Sequence, residues 1–419
     1  MSDSVEKLVA RATSLANAGH WQEAEKAWQE VHRKAPDNAR ALFGLGMHAY
    51  QRGDLSKARQ WLDKTVVQSP ADMLGQLTRA TICRAQGDAA AERQSIEAAL
   101  AIDPYSLPAL LYKGDSLERS GDCSAAATVY RNALKVAPPL AHWPPALKTQ
   151  LQHASQVVHQ HTEQLRAHLQ QRLAALQSNL PAASQSQWHE AVDLLAGHSK
   201  PYTAQSNQLH IPRLPAIPFY ERSLFPQLKL LEDNTDVIRQ ELLTLLSQHQ
   251  AEFSPYITYE PGQPVNQWAE LNHSTRWSAF HLWRSSHPVE ENLARCPKTA
   301  EILRELQLAD LPGLCPNVLF SALAPGTHIP PHHGETNARL VAHLPLVVPP
   351  HCYLRVGYEQ RGWTVGETLI FDDTLEHEAR NDSSELRVVL IFDLWNPLLT
   401  EQERVLVQAM TQAVRTFGA

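Results

Sequence analysis

The stretch PGTHIPPHHGETNARLVAHLPLVVP, at residues 325–349, contains the pattern that decides the fold of the second half of the chain. Its last part, RLVAHLPLVV (339–348), is an apolar run with the composition of a strand. The segment before this run is broken by proline and glycine, which are typical of turns. The stretch therefore predicts a strand that begins next to a turn, with His332 and His333 at its edge.

Short β-branched and aromatic runs, bounded by Pro, Gly and Asn, extend from about Asn317 to Trp395, and LTEQERVLVQAMTQAVRTF (399–417) is predicted to close the chain as a helix. The runs are NVLFSAL (317–323), RLVAHLPLVV (339–348), CYLRVGY (352–358), ETLIFDD (367–373), EHEAR (376–380) and RVVLIFDLW (387–395). Several strands at such close spacing predict a sandwich or small barrel of antiparallel strands.

Two histidines, His332 and His377, lie at strand edges beside turn residues and are 45 residues apart. In a jelly-roll barrel this spacing lets two strands bring both imidazoles to one mouth, and neutral imidazole suits ferrous iron. A generic facial triad would have a carboxylate two residues after the first histidine, but that position is Gly334. From spacing alone, both an iron site and ordinary core histidines remain open.

Neighbouring polar residues offer competing interpretations. His333 is expected on the opposite side of its strand from His332, at the surface or behind the ligands. Asp372 and Asp373 precede His377 and could supply the missing ligand, although Asp pairs are also typical of turns. Arg387 could form an ion pair across the sheet with a carboxylate instead of binding a ligand.

The N-terminal third contains an internal repeat of 34 residues. The glycines Gly19, Gly53, Gly87 and Gly121 share this period, as do the prolines Pro36, Pro70, Pro104 and Pro138. Small residues recur between the predicted helix pairs, with one departure at Glu92. The pattern resembles a tetratricopeptide repeat array, whose concave face usually holds a peptide or protein. A purely structural or dimerising array is the competing interpretation.

The pattern divides the chain into three parts. Residues 1–140 carry the repeats, residues 141–204 form a helical linker with one long helix at about 146–177, and residues 205–419 form the β-rich domain. The proline-rich passage IPRLPAIPFYERSLFP (211–226) marks the entrance to that domain, because each proline disfavours helix.

Composition argues against several classes of partner. The net charge is −7 and Lys and Arg form no clusters, so nucleic acid is not expected. No segment has the length of apolar sequence that a membrane span needs. Five scattered cysteines without a CxxC pair fit reduced thiols, and a cytoplasmic location is expected.

The stretch from 325 to 397 resembles the catalytic half of the aspartyl/asparaginyl β-hydroxylases, and the resemblance extends over roughly residues 205–400. The resemblance implies a double-stranded β-helix (jelly-roll) dioxygenase domain after an α-helical tetratricopeptide superhelix. That family uses two histidine ligands with a glycine where other families have a carboxylate, and Gly334 fits this pattern. Fe(II), 2-oxoglutarate and O₂ are the implied cofactor and cosubstrates.

The resemblance also implies roles for individual residues. His332 and His377 match the iron ligands, and Arg387 matches the arginine that pairs with the distal carboxylate of 2-oxoglutarate. Ser321, His343 and Trp277 match residues of the cosubstrate pocket. Two positions between the ligands usually carry substrate-binding arginines; this chain keeps Arg339 but has Val341 at the second one.

The expected function is hydroxylation of a peptide or protein held by the repeat groove, at the β-carbon of Asp or Asn. A tetratricopeptide adaptor whose barrel is inactive is a second possible function. A hydroxylase of a lipid or small molecule is a third, and a metal-binding barrel that is not an oxygenase is a fourth. The three residues His332, His377 and Arg387 together favour an active oxygenase over an inactive barrel.

Overall fold

A computed structural model describes residues 4–180 and 182–417 of the chain. The chain divides into two compact units, Met1–Ser199 and Lys200–Ala419. No helix within the described residues combines the length and the apolar character that are needed to cross a membrane.

The first unit is helical. Its helices are α1 (Val5–Asn17), α2 (Trp21–Lys34), α3 (Ala39–Gln51), α4 (Leu55–Gln68), α5 (Met73–Ala85), α6 (Ala89–Ile102), α7 (Leu107–Arg119), α8 (Cys123–Val136), α9 (Lys148–Gln177) and α10 (Ala182–Ala196). The repeat glycines follow α1, α3, α5 and α7 and have positive φ angles of 75–84°, which glycine adopts without strain. The aspartates Asp54, Asp88 and Asp122 cap the helices that follow, each accepting a backbone N–H bond.

Small residues allow the paired helices to pack closely. A Cβ atom added at Gly114 would collide with the Tyr130 ring, and one at Gly46 would lie 3.0 Å from Leu62. Glu92, the departure from the repeat, is buried, and its carboxylate pairs with Arg119 at 2.5 Å. The predicted repeat array is therefore confirmed, and its one irregular position is accommodated by an ion pair.

The predicted linker is largely part of the first unit. The long helix α9 begins at Lys148, close to the expected start, and ends at Gln177 as expected. Its Leu151 and Ala154 belong to the same core cluster as Tyr130 of α8. The boundary between the compact units falls after Ser199, five residues before the predicted domain start at 205.

The second unit is rich in β-structure. Its strands are β1 (Phe219–Tyr220), β2 (Ser254–Pro255), β3 (Trp277–Arg284), β4 (His287–Pro288), β5 (Val318–Leu323), β6 (Thr327–His332), β7 (Arg339–Val347), β8 (Cys352–Val356), β9 (Glu359–Gly362), β10 (Leu369–Phe371), β11 (His377–Asn381) and β12 (Arg387–Trp395). Its helices are α11 (Leu228–Asp233), α12 (Thr235–Gln248), α13 (Glu290–Arg295), α14 (Pro297–Glu305) and α15 (Glu401–Phe417).

The strands form two antiparallel sheets. The larger sheet has the order β1-β10-β7-β12-β5-β3-β2, with β4 beside β3, and the smaller sheet has the order β6-β11-β8-β9. One face of the larger sheet packs against α11 to α14 in a core that includes Phe280, Phe320 and Leu242. The other face packs with the smaller sheet around Trp277, Val341 and Leu354.

These observations confirm the fold class at the level of a helical repeat array followed by a β-rich domain. Each run predicted from 317 onward contains a strand, although several strands are shorter than the runs. The sheet also begins earlier than predicted, because β1, β2, β3 and β4 precede residue 317 and β3 (Trp277–Arg284) pairs with β5. The finer assignment as a double-stranded β-helix stays a prediction.

Candidate active site

A cavity of about 350 Å³ lies between the two sheets. Its wall carries all seven residues for which a role was predicted: Trp277, Ser321, His332, Arg339, His343, His377 and Arg387. Strand alternation explains why they share one face. Along β7, Arg339 and His343 point into the cavity, and the alternate residues between them belong to the core between the larger sheet and the helices. The same alternation along β12 directs Arg387, Ile391 and Asp393 into the cavity.

His332 and His377 face each other across β6 and β11. The antiparallel register pairs their backbones, so the end of one strand lies beside the start of the other. Their ring centroids are 4.0 Å apart. The Nδ1 of His332 lies 2.8 Å from the carbonyl oxygen of Pro330, and the Nδ1 of His377 lies 3.0 Å from that of Leu375.

These two hydrogen bonds determine which ring nitrogen carries the proton. A carbonyl oxygen only accepts, so Nδ1 is the donor in both rings and Nε2 keeps its lone pair. Burial lowers the pKa of His332 to about 3 and that of His377 to about 4, and for His332 the adjacent His377 ring adds to this effect. Both imidazoles are therefore neutral at pH 7, the form in which histidine binds a metal.

Position 334 has no room for a side chain, because the carboxylate of Asp373 occupies the place where it would lie. A Cβ atom at position 334 would collide with the carboxylate of Asp373, and the Gly334 amide donates to the Asp373 carbonyl at 2.6 Å. The two aspartates before His377 thus behave differently. Asp372 accepts bonds from the amide and hydroxyl of Thr374, as expected for a turn, whereas the carboxylate of Asp373 lines the cavity.

The end of the cavity beside the start of β12 contains a buried cation. Arg387 is 1% exposed and its guanidinium lies 5.0 Å from the centre of the Trp363 ring. Its one hydrogen bond is a 3.4 Å contact to the carbonyl of Ser321, and no carboxylate of the described residues lies within ion-pair distance. Burial lowers the pKa of Arg387 to about 10, yet the group stays charged at neutral pH. Within the described part of the chain, the ion pair that the sequence left open for Arg387 is not formed.

Further polar and aromatic side chains surround the same end. The Trp277 indole donates to the Ser321 hydroxyl at 3.1 Å, and Trp277 itself stacks on Tyr256. Burial, followed by the charge of Arg387, holds the pKa of His343 well below its ordinary value. The Nδ1 of His343 has no hydrogen-bond partner in the described structure, so one polar atom remains available there.

Arg339 differs from Arg387 because its charge is already compensated. Its guanidinium lies 2.6 Å from Asp373 and 3.2 Å from Asp393, with Glu335 at 3.7 Å. Although burial lowers it, these carboxylates raise the pKa of Arg339 well above the ordinary value. The sequence interpretation of Arg339 as a partner for a carboxylate or amide of the substrate did not anticipate these ion pairs.

Several cavity residues were missed or placed differently. His333 is not on the far side of the strand: β6 ends at His332, and His333 lines the cavity while its Nδ1 donates to the Thr374 carbonyl at 2.9 Å. Asp393 could have been found from its spacing of six residues from Arg387, because even spacing keeps strand residues on one face. Tyr256 lies in an irregular segment and Trp268 in a short 3-10 helix, and neither belongs to a motif.

The residues that are present fit a metal with an organic anion. Within residues 4–180 and 182–417, no group of three or more His, Cys, Asp or Glu side chains is arranged to hold a metal ion. A metal held here would therefore have two imidazole ligands and depend on other molecules for the remaining positions. An anionic chelator would also supply the missing partner of Arg387.

Comparisons with known proteins identify relatives of both units. A family model described as "Aspartyl/Asparaginyl beta-hydroxylase" matches residues 232–397, and a tetratricopeptide repeat model matches residues 9–73. The aspartyl/asparaginyl beta-hydroxylase of Mus musculus is 27% identical over 94% of this chain and 55% of its own length. The ornithine lipid ester-linked acyl 2-hydroxylase of Rhizobium tropici is 32% identical over 51% of this chain and 73% of its own length.

The chain spans about half the length of the mouse relative, and 27% of that of the human protein of the same name, to which it is 32% identical over 52% of this chain. Among solved structures, MamA from Desulfovibrio magneticus RS-1 aligns with 32% of this chain and 75% of that chain at 20% identity, with a TM-score of 0.30. A score this low does not establish a shared fold.

Proposed function

Because the chain belongs to the aspartyl/asparaginyl β-hydroxylase family, we propose that it is an iron(II)- and 2-oxoglutarate-dependent dioxygenase that hydroxylates a peptide or protein. One structural observation is the main support for this proposal. The cavity lined by His332 and His377 also contains the buried cation Arg387, which has no carboxylate partner among the described residues. A neutral pair of metal ligands and an anion-seeking arginine in one enclosed space suit a metal chelated by a dicarboxylate.

Each residue would have a defined task. Iron, with 2-oxoglutarate and oxygen as cosubstrates, would supply the oxidative chemistry. His332 and His377 would hold the metal, while the carbonyls of Pro330 and Leu375 fix their ring orientation. Arg387 pairs with the distal carboxylate of 2-oxoglutarate, and its contact with Trp363 keeps the guanidinium in place. Ser321 and His343 provide hydrogen-bonding atoms, and Trp277 orients the Ser321 hydroxyl.

The mouse relative favours a peptide or protein substrate. Its similarity covers 94% of this chain and so includes the repeat region, whereas the similarity to the Rhizobium tropici lipid hydroxylase covers 51%. A superhelical groove would supply affinity for an extended segment at a distance from the reacting carbon. We therefore propose that the repeats bind the substrate and that the β-carbon of Asp or Asn is hydroxylated.

Hydroxylation of a lipid acyl chain is the second candidate, because the Rhizobium tropici relative has that function by name. The two candidates differ in where oxygen is added. Incubation of the protein with iron and 2-oxoglutarate, once with total lipid extract and once with a proteome digest, would locate the added oxygen by mass spectrometry. Oxygen found on fatty acyl chains and not on peptides would favour the lipid candidate.

Metal and cosubstrate binding test the core of the proposal. We expect anaerobic addition of ferrous iron and 2-oxoglutarate to give the visible absorption band of a bound iron–oxoacid chelate. The substitutions His332→Ala and His377→Ala should each abolish this band, because each removes a ligand. His333→Ala is the matched control and should retain it, since the His333 Nδ1 is bonded to Thr374. Equal loss in all three variants would contradict the ligand assignment.

A further inference from the structure

The end of the cavity around Arg339 is rich in negative charge. Three carboxylates, those of Glu335, Asp373 and Asp393, lie within 4 Å of the single guanidinium of Arg339. Ferrous iron and doubly charged 2-oxoglutarate would cancel each other, so binding of both would leave this excess of negative charge unchanged.

The charge of Arg339 is already offset by these carboxylates. Its side chain is 6% exposed, and those of its partners Asp373 and Asp393 are 7% and 4% exposed. Asp393 is held further by the amide of Asn317 at 2.7 Å. A substrate carboxylate would have to displace one of these buried acids, which would leave that acid without a partner and is strongly unfavourable.

This acidic end is also the end that opens to solvent. The side chain of Glu335 is 39% exposed, and Arg284, which also lines the cavity, is exposed as well. At the opposite end Arg387, Ser321 and His343 are all buried. A substrate therefore approaches past the carboxylates. Arg284 is the one cation at this rim among the described cavity residues, and its exposure weakens its attraction for an anion through solvent screening.

From this arrangement we propose that the site hydroxylates asparagine and discriminates against aspartate. The inference rests on the proposed function and narrows its substrate class. The carboxamide of asparagine donates N–H bonds to carboxylate oxygens, whereas aspartate is ionised at neutral pH and brings a further negative charge. Val341, on the cavity wall in register with Asp393, adds an apolar surface and no compensating cation.

Asparagine and aspartate are nearly identical in shape, so peptides that differ only in this residue are a matched pair of probes. Two synthetic peptide libraries would carry Asn or Asp at one fixed central position, with the same randomised flanks, and would be incubated with the full chain, iron and 2-oxoglutarate. Mass spectrometry would count peptides that gain one oxygen atom at the fixed residue. We expect the Asn library to be modified roughly tenfold more, or better, because like-charge juxtaposition is costly at a desolvated site.

Two variants test whether the carboxylates cause the preference. Glu335→Gln removes one negative charge from a partly exposed side chain and should reduce the preference for Asn several-fold. Glu301→Gln makes the same change on the exposed surface of α14, where Glu301 pairs with Lys298, and should leave the preference unchanged. Binding of 2-oxoglutarate, measured for each variant, shows that the cavity remains folded.

The outcomes separate this inference from the proposed function. Equal or greater modification of the Asp library would overturn the preference while leaving the hydroxylase assignment in place. If the protein binds iron and 2-oxoglutarate but modifies neither library, the proposal that asparagine is the substrate is overturned. The cofactor assignment would still stand. Absence of iron and 2-oxoglutarate binding would remove the proposed function, and the inference with it.

Discussion

Two buried arginines line the same cavity, and their surroundings give them different roles. Arg339 is surrounded by carboxylates from β12, from the segment after β10 and from the turn before β7, while Arg387 has an aromatic ring and one carbonyl as neighbours. Sequence alone could not separate them, because both are arginines on strands of the larger sheet. The difference depends on Asp373 and Asp393, which lie 34 and 54 residues away in the chain and become neighbours only in the folded sheet.

The substitution Arg387→Gln should weaken 2-oxoglutarate binding by roughly 2 to 5 kcal/mol, because it leaves a desolvated carboxylate without its charged partner. It should not lower the melting temperature of the protein without ligands, because a buried cation without a carboxylate partner contributes little to stability. Calorimetric titration and thermal unfolding would measure the two effects. Arg361→Gln is the control, since Arg361 is half-exposed and pairs with Glu359. Unchanged affinity in Arg387→Gln would show that another group holds the cosubstrate.

At the scale of elements, the chemistry depends on two turns that meet. The turn between β6 and β7 contains Gly334, and the segment between β10 and β11 contains Asp373. The glycine is required here for space and not for an unusual φ angle, because the Asp373 carboxylate fills the position of its side chain. Position 334 therefore carries no carboxylate for the same reason that Asp373 can line the cavity: the Asp373 side chain fills the space next to the glycine.

Gly334→Ala should destabilise the β-rich unit by roughly 1 to 3 kcal/mol, as expected for overpacking. The added methyl group would also push Asp373 away from Arg339. Scanning calorimetry would measure the change. Gly362→Ala, in β9, is the matched control because the nearest atom to its Cβ position is a carbonyl oxygen at 3.8 Å. Equal stability of the two variants would mean that Asp373 moves without cost.

Strand prediction succeeded where apolar runs are bounded by turn residues and failed where they are not. The runs at 339–348 and 387–395 correspond to β7 and β12, the central pair of the larger sheet. In contrast, β6 reads THIPPH, with two prolines and two histidines, and still pairs with β11. Proline is tolerated there because β6 is an edge strand. The strand that carries His332 was therefore the hardest to predict from its composition.

At the scale of the whole molecule, periodicity made the repeats predictable. Glycine and proline recur every 34 residues because each helix pair needs the same turns, and the sequence records this directly. The extent of the helical unit was less evident, since α9 lacks the repeat pattern but buries Leu151 and Ala154 against α8. Removal of residues 1–140 alone would expose these apolar side chains, so the boundary at Ser199 is the better place to divide the chain.

Removal of residues 1–199 tests whether the helical unit presents the substrate. Iron and 2-oxoglutarate binding should be nearly unchanged, because the described residues that line the cavity all lie between 256 and 393. Hydroxylation of a protein substrate should fall sharply, mainly through weaker substrate binding, because the groove supplies affinity remote from the reacting carbon. A short peptide that occupies only the cavity is the internal control and should lose much less. If the truncated protein binds 2-oxoglutarate normally and modifies the protein substrate as efficiently as the full chain does, the repeats do not present the substrate and serve another purpose, such as dimerisation.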